Sequence, residues 1–261
     1  MELKDAHIAI TGGSRGIGEA AARALVGAGA RVHLVARDAD ALRRLGGELG
    51  CAWTAGDLLD EDVRSRLIET IEADGPLDVL VNNAGLERTG HVSEQAPDEL
   101  RDVLRLNLEV PVLLCRDALR SMLPRRRGHI VNVSSMAMAV HSPGFATYGA
   151  SKTGLSSFTG SLRQELRDSG VGLTTVEIGP VDTDMLADIR SNSAADQLFA
   201  RYDKLRLNRT MPAAEVGDGI RNAIASDAWA LRLPRRAGAF PAIANLTRRL
   251  GDLVQTGVPV D

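Results

Sequence analysis

Residues 7–18 read HIAITGGSRGIG, a short apolar run that passes directly into a glycine-rich turn. The run has the length and composition of a buried strand, and a helical pattern follows the turn. Gly12, Gly16 and Gly18 stand where the chain must turn sharply, bring its backbone close to a phosphate and pack a helix against a strand. Unpaired N–H groups at the start of that helix would bind a pyrophosphate. This stretch therefore predicts a dinucleotide-binding turn.

Further along the chain, short apolar runs alternate with longer helical patterns. Because the runs are apolar throughout, they are typical of strands buried on both faces of a sheet. The alternation predicts an α/β fold, a Rossmann-like doubly wound parallel β-sheet of about seven strands flanked by helices. We expect one domain over residues 1–261, in which 181–212 form a mobile substrate loop and 235–261 a C-terminal helical tail. Besides 7–11, the predicted strands are 31–36, 51–55, 77–85, 128–135, 171–178 and 227–234.

Composition and charge exclude several classes of protein. A net charge of -3 gives no signal for binding nucleic acid. No apolar run approaches transmembrane length, and the N-terminus lacks the apolar core of a secretory signal. Cys51 and Cys115 match no metal-ligand spacing and are expected to be buried thiols in a reducing compartment. We therefore expect a cytoplasmic protein with no integral membrane segment, no nucleic-acid partner and no metal site.

The corner after the second strand indicates which dinucleotide is bound. Sites for NAD place an acid there to hold the ribose hydroxyls. Here Arg37 occupies the corner, and Asp38 comes one position later. Arg37 and Arg15 could both bind a 2′-phosphate, which favours NADP(H) over NAD(H). The alternative is that both arginines are solvated and that Asp38 takes the role of the acid.

Six motifs occur in a familiar order and spacing, and together they carry a family resemblance. They are TGGSRGIG (11–18), Asp57 in AGDL, NNAG (82–85), Asn107, Ser135 and YGASK (148–152). In this combination the chain resembles the short-chain dehydrogenase/reductase family over about residues 5–185. The resemblance implies an enzyme that transfers hydride between a nicotinamide and a small-molecule carbonyl or secondary alcohol. It also implies a homodimer or a homotetramer.

The chemistry explains why a tyrosine and a lysine stand four residues apart. Tyr148 and Lys152 are neighbours on one helix face. A tyrosine titrates near pH ~10, so a nearby ammonium that stabilises the phenolate makes it usable at neutral pH. By resemblance, Ser135 binds the substrate oxygen, Tyr148 protonates it, and Asn107 holds a water that links Lys152 to solvent. Pro111 removes a helical hydrogen bond and is expected to distort the backbone near Asn107.

The same resemblance assigns cofactor contacts to the glycine turn, to the strand ends and to the catalytic helix. Asp57 could instead be a helix-start residue, and NNAG a structural lock of the sheet. After the sixth strand the family's usual Pro-Gly reads Ile178-Gly179, with the proline displaced by one position. The expected cofactor contacts are Gly12, Ser14, Arg15, Gly16, Ile17, Gly18, Arg37, Asp57, Leu58, Asn83, Ala84, Gly85, Tyr148, Lys152, Gly179, Val181 and Thr183.

The substrate is expected to contact Ser135, Met136, His141 and Tyr148. Met138 and Phe145 would add apolar walls. The apolar spacing in the tail favours a packing or dimer-contact helix, and the alternative is a lid over an apolar substrate cleft or a patch that touches lipid. Similar tails occur in family members that act on lipid-like carbonyls, so the resemblance implies an apolar or lipid-like substrate. We therefore predict an NADP(H)-dependent ketone or aldehyde reductase.

Three alternatives remain beside this prediction. One is an NAD-dependent alcohol dehydrogenase on the same scaffold. Another is a 3-oxoacyl thioester reductase, in which the arginines at 125–127 dock an acidic acyl carrier; a solvated turn is the simpler interpretation of that run. The third is a catalytically silent NADP-binding regulator, which the presence of Asn107, Ser135, Tyr148 and Lys152 disfavours.

Overall fold

A central parallel sheet organises the molecule. The computed structural model describes residues 1–138, 142–204 and 209–234, without the side chains of Met138, Ser193 and Ala194. Seven strands form the main sheet in the order β3-β2-β1-β4-β5-β6-β9, all parallel, and β7 pairs with β8 apart from it. The predicted Rossmann-like fold is confirmed. The strands are β1 (His7–Thr11), β2 (Arg31–Ala36), β3 (Ala52–Ala55), β4 (Val79–Asn82), β5 (Gly128–Val133), β6 (Val171–Ile178), β7 (Val181–Asp182), β8 (Met211–Pro212) and β9 (Ala230–Leu233).

Helices cover both faces of the sheet. On one face α1, α2 and α9 contribute Leu25, Leu42 and Ile220 to a core cluster. On the other face Leu67 of α3 and Leu114 of α5 enter a second cluster, together with residues of α6. The helices are α1 (Gly16–Val26), α2 (Ala39–Leu49), α3 (Glu61–Glu72), α4 (Pro97–Leu104), α5 (Val110–Arg125), α6 (Ala146–Glu165), α7 (Asp184–Ser191), α8 (Ser193–Lys204) and α9 (Ala213–Ala225).

The strand order reverses between β1 and β4. In open sheets of this kind ligands bind where the order reverses, outside the carboxyl ends of the strands. The glycine turn follows β1, the NNAG motif follows β4, and Ser135 follows β5. The topology therefore brings the three motifs to one edge of the sheet.

One segment differs from its predicted structure. Residues 181–212 are predicted as a loop, whereas the structure has two helices there, α7 and α8. The apolar side chains of these helices pack with Phe145 in a cluster of their own, and the segment is rich in Asp, Ser and Asn, which are typical of loops. The predicted helical tail at 235–261 lies outside the described residues.

A chain of buried polar side chains links the middle of the sheet to α6. The Asn82 amide donates to Asn132 Oδ1 at 2.9 Å, between two residues that are register partners on β4 and β5. The Asn132 amide in turn donates to the Thr159 hydroxyl of α6 at 3.0 Å. We call these three residues the polar ladder. It ties the position of α6 to the register of the sheet.

Within the described ranges, no helix has both the length and the apolar character needed to cross a membrane.

Candidate active site

The glycine turn leaves the start of α1 open to an anion. Helix α1 begins at Gly16, and the residue before it, Arg15, makes no side-chain cap. The first N–H groups of the helix are therefore available to a phosphate. Gly18 has a different role, because a Cβ atom there would lie 2.1 Å from the Gly12 carbonyl oxygen. Gly18 allows the helix to pack on the turn.

The NNAG motif locks β4 to β1. The Thr11 hydroxyl accepts hydrogen bonds from the backbone N–H of Asn83 and of Ala84, each at 3.0 Å. The Asn83 amide donates to the Thr11 carbonyl at 2.9 Å. These contacts favour the structural interpretation of the motif, although Asn83, Ala84 and Gly85 also line the cleft described below. The two roles are compatible.

Tyr148, Ser135 and Lys152 come together above the carboxyl end of β5. The Ser135 side chain lies near the Tyr148 phenol and lowers its pKa. The Lys152 ammonium donates to the Val133 carbonyl at 2.9 Å and lies 5.8 Å from the centroid of the Tyr148 ring. Three of the four predicted catalytic residues thus share one site.

The ionisation of Tyr148 differs from the sequence-based expectation. Burial raises the pKa of Tyr148 to about 12, an effect that the Ser135 hydrogen bond opposes and the charge of Glu87 strengthens. Burial also lowers the pKa of Lys152 to about 8. In the protein alone, desolvation therefore outweighs the expected stabilisation of the phenolate by the ammonium.

Asn107, the fourth predicted catalytic residue, lies in a distorted turn between α4 and α5. Residues Arg105–Glu109 form a π turn, in which the Val110 N–H bonds the Arg105 carbonyl. The Asn107 amide donates to Ser151 Oγ on α6 at 3.1 Å. A Cβ on Gly85 would lie 3.3 Å from Asn107 Oδ1 and 3.6 Å from Lys152 Nζ. Asn107 Oδ1 and the Lys152 ammonium therefore both face Gly85.

Two serines fix the catalytic part of α6. Ser134 is buried and donates to the Lys152 carbonyl at 3.0 Å. Ser151 donates to the Tyr148 carbonyl at 2.7 Å. Both contacts hold backbone carbonyls of the residues whose side chains form the site.

The corner after β2 contains the two arginines expected to select the cofactor. Arg37 lies 3.8 Å from an Asp57 carboxylate oxygen, and Arg15 lies 3.1 Å from Asp184 at the start of α7. Asp38 caps α2, since its carboxylate accepts from the Ala41 N–H at 2.9 Å. Asp38, which could have held the ribose hydroxyls of NAD, is therefore the N-cap of α2.

A single cleft of about 2050 Å³ runs from this corner to the tyrosine. All the predicted cofactor contacts line it except Gly18, and so do Ser135 and Met136. Asn107 is buried behind the wall. His141 lies outside the described residues. The cleft is therefore long enough to serve both a dinucleotide and a substrate beside it.

The far end of the cleft has apolar walls, to which Phe145 contributes as predicted and two helices contribute residues that were not predicted. They come from α7 and α8, within the segment predicted as a loop. Phe145 and Leu198 are buried there, and the Phe145 and Phe199 rings meet edge to face with their centroids 6.4 Å apart. The signal in the sequence was the helical spacing of apolar residues. The wall residues from these helices are Met185, Leu186, Ile189, Leu198, Phe199 and Tyr202.

The arginines at 125–127 are remote from the cleft. Arg127 pairs with Asp78 at 3.1 Å, at the start of β4, and Arg126 donates to the Asp168 carbonyl. The run precedes β5, which has six residues, so its distance from the carboxyl edge is about 20 Å.

Comparison with known proteins identifies the family. The family model described as short chain dehydrogenase matches residues 6–194. A rat protein named dehydrogenase/reductase SDR family member 7B is 32% identical over 85% of this chain and 71% of its own. The 3-oxoacyl-[acyl-carrier-protein] reductase FabG of Vibrio harveyi is 32% identical over 84% of this chain and 86% of its own.

A solved structure agrees with the sequence relatives. It is a variant of actinorhodin polyketide ketoreductase crystallised with NADPH, and it is 29% identical to this chain, with a TM-score of 0.80 over 88% of this chain and 95% of the other. The residues that the family model matches include the glycine turn, NNAG, Ser135 and the Tyr148–Lys152 pair. The chain therefore belongs to the short-chain dehydrogenase family and is an NAD(P)-dependent oxidoreductase.

Proposed function

We propose that this enzyme is an NADP(H)-dependent reductase of ketones or aldehydes that carry an apolar or lipid-like group. One observation carries the proposal. Tyr148 and Ser135 stand together in a cleft that has the glycine turn at one end and apolar walls at the other. A proton donor thus lies between a site suited to a dinucleotide and a site suited to an apolar molecule.

The chain's own residues supply binding and proton transfer. A bound nicotinamide would supply the hydride. Ser135 and Tyr148 would bind the carbonyl oxygen, and Tyr148 would protonate it as negative charge develops there. The Lys152 ammonium lies beside the phenol and would favour the phenolate that remains. Asn107 and its turn would connect Lys152 to water.

The arginine corner supports NADP(H) over NAD(H). Arg15 and Arg37 are 70% and 66% exposed at the cleft, so both can reorient toward a 2′-phosphate. Their present partners, Asp184 and Asp57, are exposed as well, and such surface pairs are weak. The relative crystallised with NADPH points in the same direction. An NAD-dependent dehydrogenase is the alternative that the experiment must test.

A second candidate is reduction of a 3-oxoacyl thioester. It is favoured by the names of relatives such as the Vibrio harveyi reductase. The apolar walls of α7 and α8 would suit an acyl chain. An acyl carrier that docked at 125–127 would need an arm of about 20 Å to reach the carboxyl edge of the sheet.

The test is a set of substrates offered with NADPH and with NADH. Ketones, steroids, retinoids and acyl thioesters would be followed by the absorbance of the reduced nicotinamide. We expect turnover of apolar carbonyls with NADPH, and none by the Tyr148→Phe variant. Faster turnover with NADH across all substrates would refute the cofactor assignment. Equal rates in wild type and Tyr148→Phe would refute the proposed acid.

We also propose that two copies of the chain pair through α5 and α6. The exposure of two apolar side chains supports this proposal, since Leu104 of α4 and Leu123 of α5 are 41% and 42% exposed. Light scattering after gel filtration would measure the state, and a monomer would contradict the pairing. A cytoplasmic location and mobility of 181–212 stay predictions.

A further inference from the structure

Helices α7 and α8 form the apolar end of the cleft from a cluster of their own. Within this cluster Leu198 of α8 packs with Phe145, and the side chains of Ile189 and Phe199 pack against them. The Tyr148 ring packs against the same cluster. The position of the two helices relative to each other therefore shapes the cleft next to the proposed proton donor.

A stripe of three residues on α8 contacts Arg190 of α7. Asp196, Phe199 and Asp203 are three and four positions apart, so they lie on one face of the helix. The Arg190 guanidinium lies 2.8 Å from the Asp203 carboxylate and 3.7 Å from that of Asp196. The same guanidinium lies 5.0 Å from the centroid of the Phe199 ring, a cation–π contact. Arg190 thus fixes the Phe199 ring relative to α7.

The Phe199 ring reaches the cleft on its other side. It lines the apolar end and meets the Phe145 ring edge to face, with the centroids 6.4 Å apart. Phe145 directly precedes α6 and stands three positions before Tyr148. The two rings therefore connect α8 to the start of the catalytic helix. An apolar group that extends along this wall from a carbonyl bound at Tyr148 would meet the Phe199 ring.

We propose that Phe199 is a specificity-determining residue that limits the length of the substrate's apolar group, and that Arg190 is the positioning residue that holds its ring. The preferred substrates are then ketones whose apolar group ends at Phe199. Longer groups are excluded because the ring cannot move aside while Arg190 holds it. This inference rests on the proposed function, since it takes the carbonyl to be bound at Tyr148.

The test uses straight-chain methyl ketones, each one methylene longer than the last, with NADPH. In wild type we expect KM to fall about fourfold per added methylene and then to rise at the length that reaches Phe199. In Phe199→Ala the fall should continue for about two further methylenes, while kcat for the shortest ketones and the Kd for NADPH stay unchanged. Phe199→Leu serves if the alanine variant does not fold. The same limiting length in wild type and in the folded variant would overturn the proposal.

Variants of Arg190 test the positioning role. Arg190→Gln removes the cation and should lengthen the limit in the same direction as Phe199→Ala, whereas Arg190→Lys keeps a cation and should stay closer to wild type. In the double variant, Arg190→Gln should add nothing to Phe199→Ala, because it acts through the ring. Lys204→Gln removes a positive charge from the exposed end of α8 and is the matched control. Additive effects in the double variant would contradict the positioning role.

Calorimetry separates this inference from the proposed function. It measures binding of the same ketones to the complex with NADP⁺, in which no hydride is available. Ketones that bind with the expected limit at Phe199 but are not reduced with NADPH would leave the inference standing and refute the proposed function. Ketones that are reduced, but with one limit in wild type and Phe199→Ala, would do the reverse. If no ketone binds, both fail.

Discussion

Pro111 lies four residues after Asn107 and has no N–H to donate to the Asn107 carbonyl. A helix would form its hydrogen bond between these two residues. The backbone instead widens into the π turn that directly precedes α5. The Asn107 carbonyl therefore lacks the donor that residue 111 would provide in a regular helix. Because the side chain of Asn107 is bonded to Leu86 and Ser151, a proton relay through this residue would have to use its backbone carbonyl.

Replacing this proline should therefore impair proton transfer. In Pro111→Ala the new N–H can bond the Asn107 carbonyl and restore a regular helix. We expect kcat to fall about tenfold, equivalent to ~1.4 kcal/mol, with little change in the Kd for NADPH. Pro124→Ala, also within α5 but near its C-terminal end, is the matched control. Equal kcat in Pro111→Ala and wild type would contradict a role for the carbonyl.

The two tyrosines of the chain, Tyr148 and Tyr202, allow a matched test of the proposed acid. Tyr148→Phe removes the hydroxyl and should reduce kcat by about 100-fold or more, the usual contribution of a general acid. Quenching of tryptophan fluorescence by NADPH should persist, because the glycine turn is intact. Tyr202→Phe, at the apolar end of the cleft, should stay within several-fold of wild type. A comparable loss in both variants would indicate that the cleft, and not the acid, had been damaged.

Cofactor preference should follow the charge at residue 37. Arg37→Asp places a carboxylate where a 2′-phosphate would lie, so we expect kcat/KM for NADPH to fall about 100-fold while that for NADH changes little. Arg66→Asp makes the same change of charge on the exposed side of α3. Steady-state kinetics with both cofactors measure the ratio. An unchanged kcat/KM for NADPH in Arg37→Asp would show that Arg37 does not contact the cofactor.

A buried histidine should make the fold sensitive to acid. His129 accepts or donates a hydrogen bond with Thr174 at 2.8 Å, and burial lowers its pKa to about 4. Below pH ~6.5, the ordinary pKa of a histidine, His129 is protonated in the unfolded chain but stays neutral in the folded chain. The free energy of unfolding should thus be largest above that pH and should fall between it and about pH 4, by up to ~3 kcal/mol.

Urea denaturation at pH 7 and at pH 5 would measure this effect. His129→Gln should be less stable at pH 7 but should lose less stability on acidification than wild type. His91→Gln, on the loop before α4, is the comparison. If His129→Gln and wild type lose the same free energy between the two pH values, another group controls the acid sensitivity.

Prediction from sequence succeeded where one local rule governed the outcome. The runs at 7–11, 31–36 and 171–178 match β1, β2 and β6 residue for residue, because strands covered on both faces are continuously apolar. The spacing of Tyr148 and Lys152 placed them on one helix face.

Prediction failed where the outcome depended on distant parts of the chain. Helices α7 and α8 face the cleft rather than the sheet, so their apolar pattern is sparse. The rise in the pKa of Tyr148 comes from its surroundings and from Glu87, sixty-one positions earlier in the sequence. Nothing in the residues next to Glu87 shows that one of its oxygens is buried without a donor. Such properties arise only when the chain has folded.

The polar ladder has a consequence for the quality of the folded population. A shift of β4 against β5 by one residue would separate Asn82 from Asn132 and bury both amides without partners, at a cost of a few kcal/mol. The same shift would break the hydrogen bond from Asn132 to Thr159, which helps to position α6. A shift of register would therefore disturb both the fold and the position of the catalytic helix. Damage to the polar ladder should lower the yield of folded protein, whereas the molecules that do fold should keep their kcat.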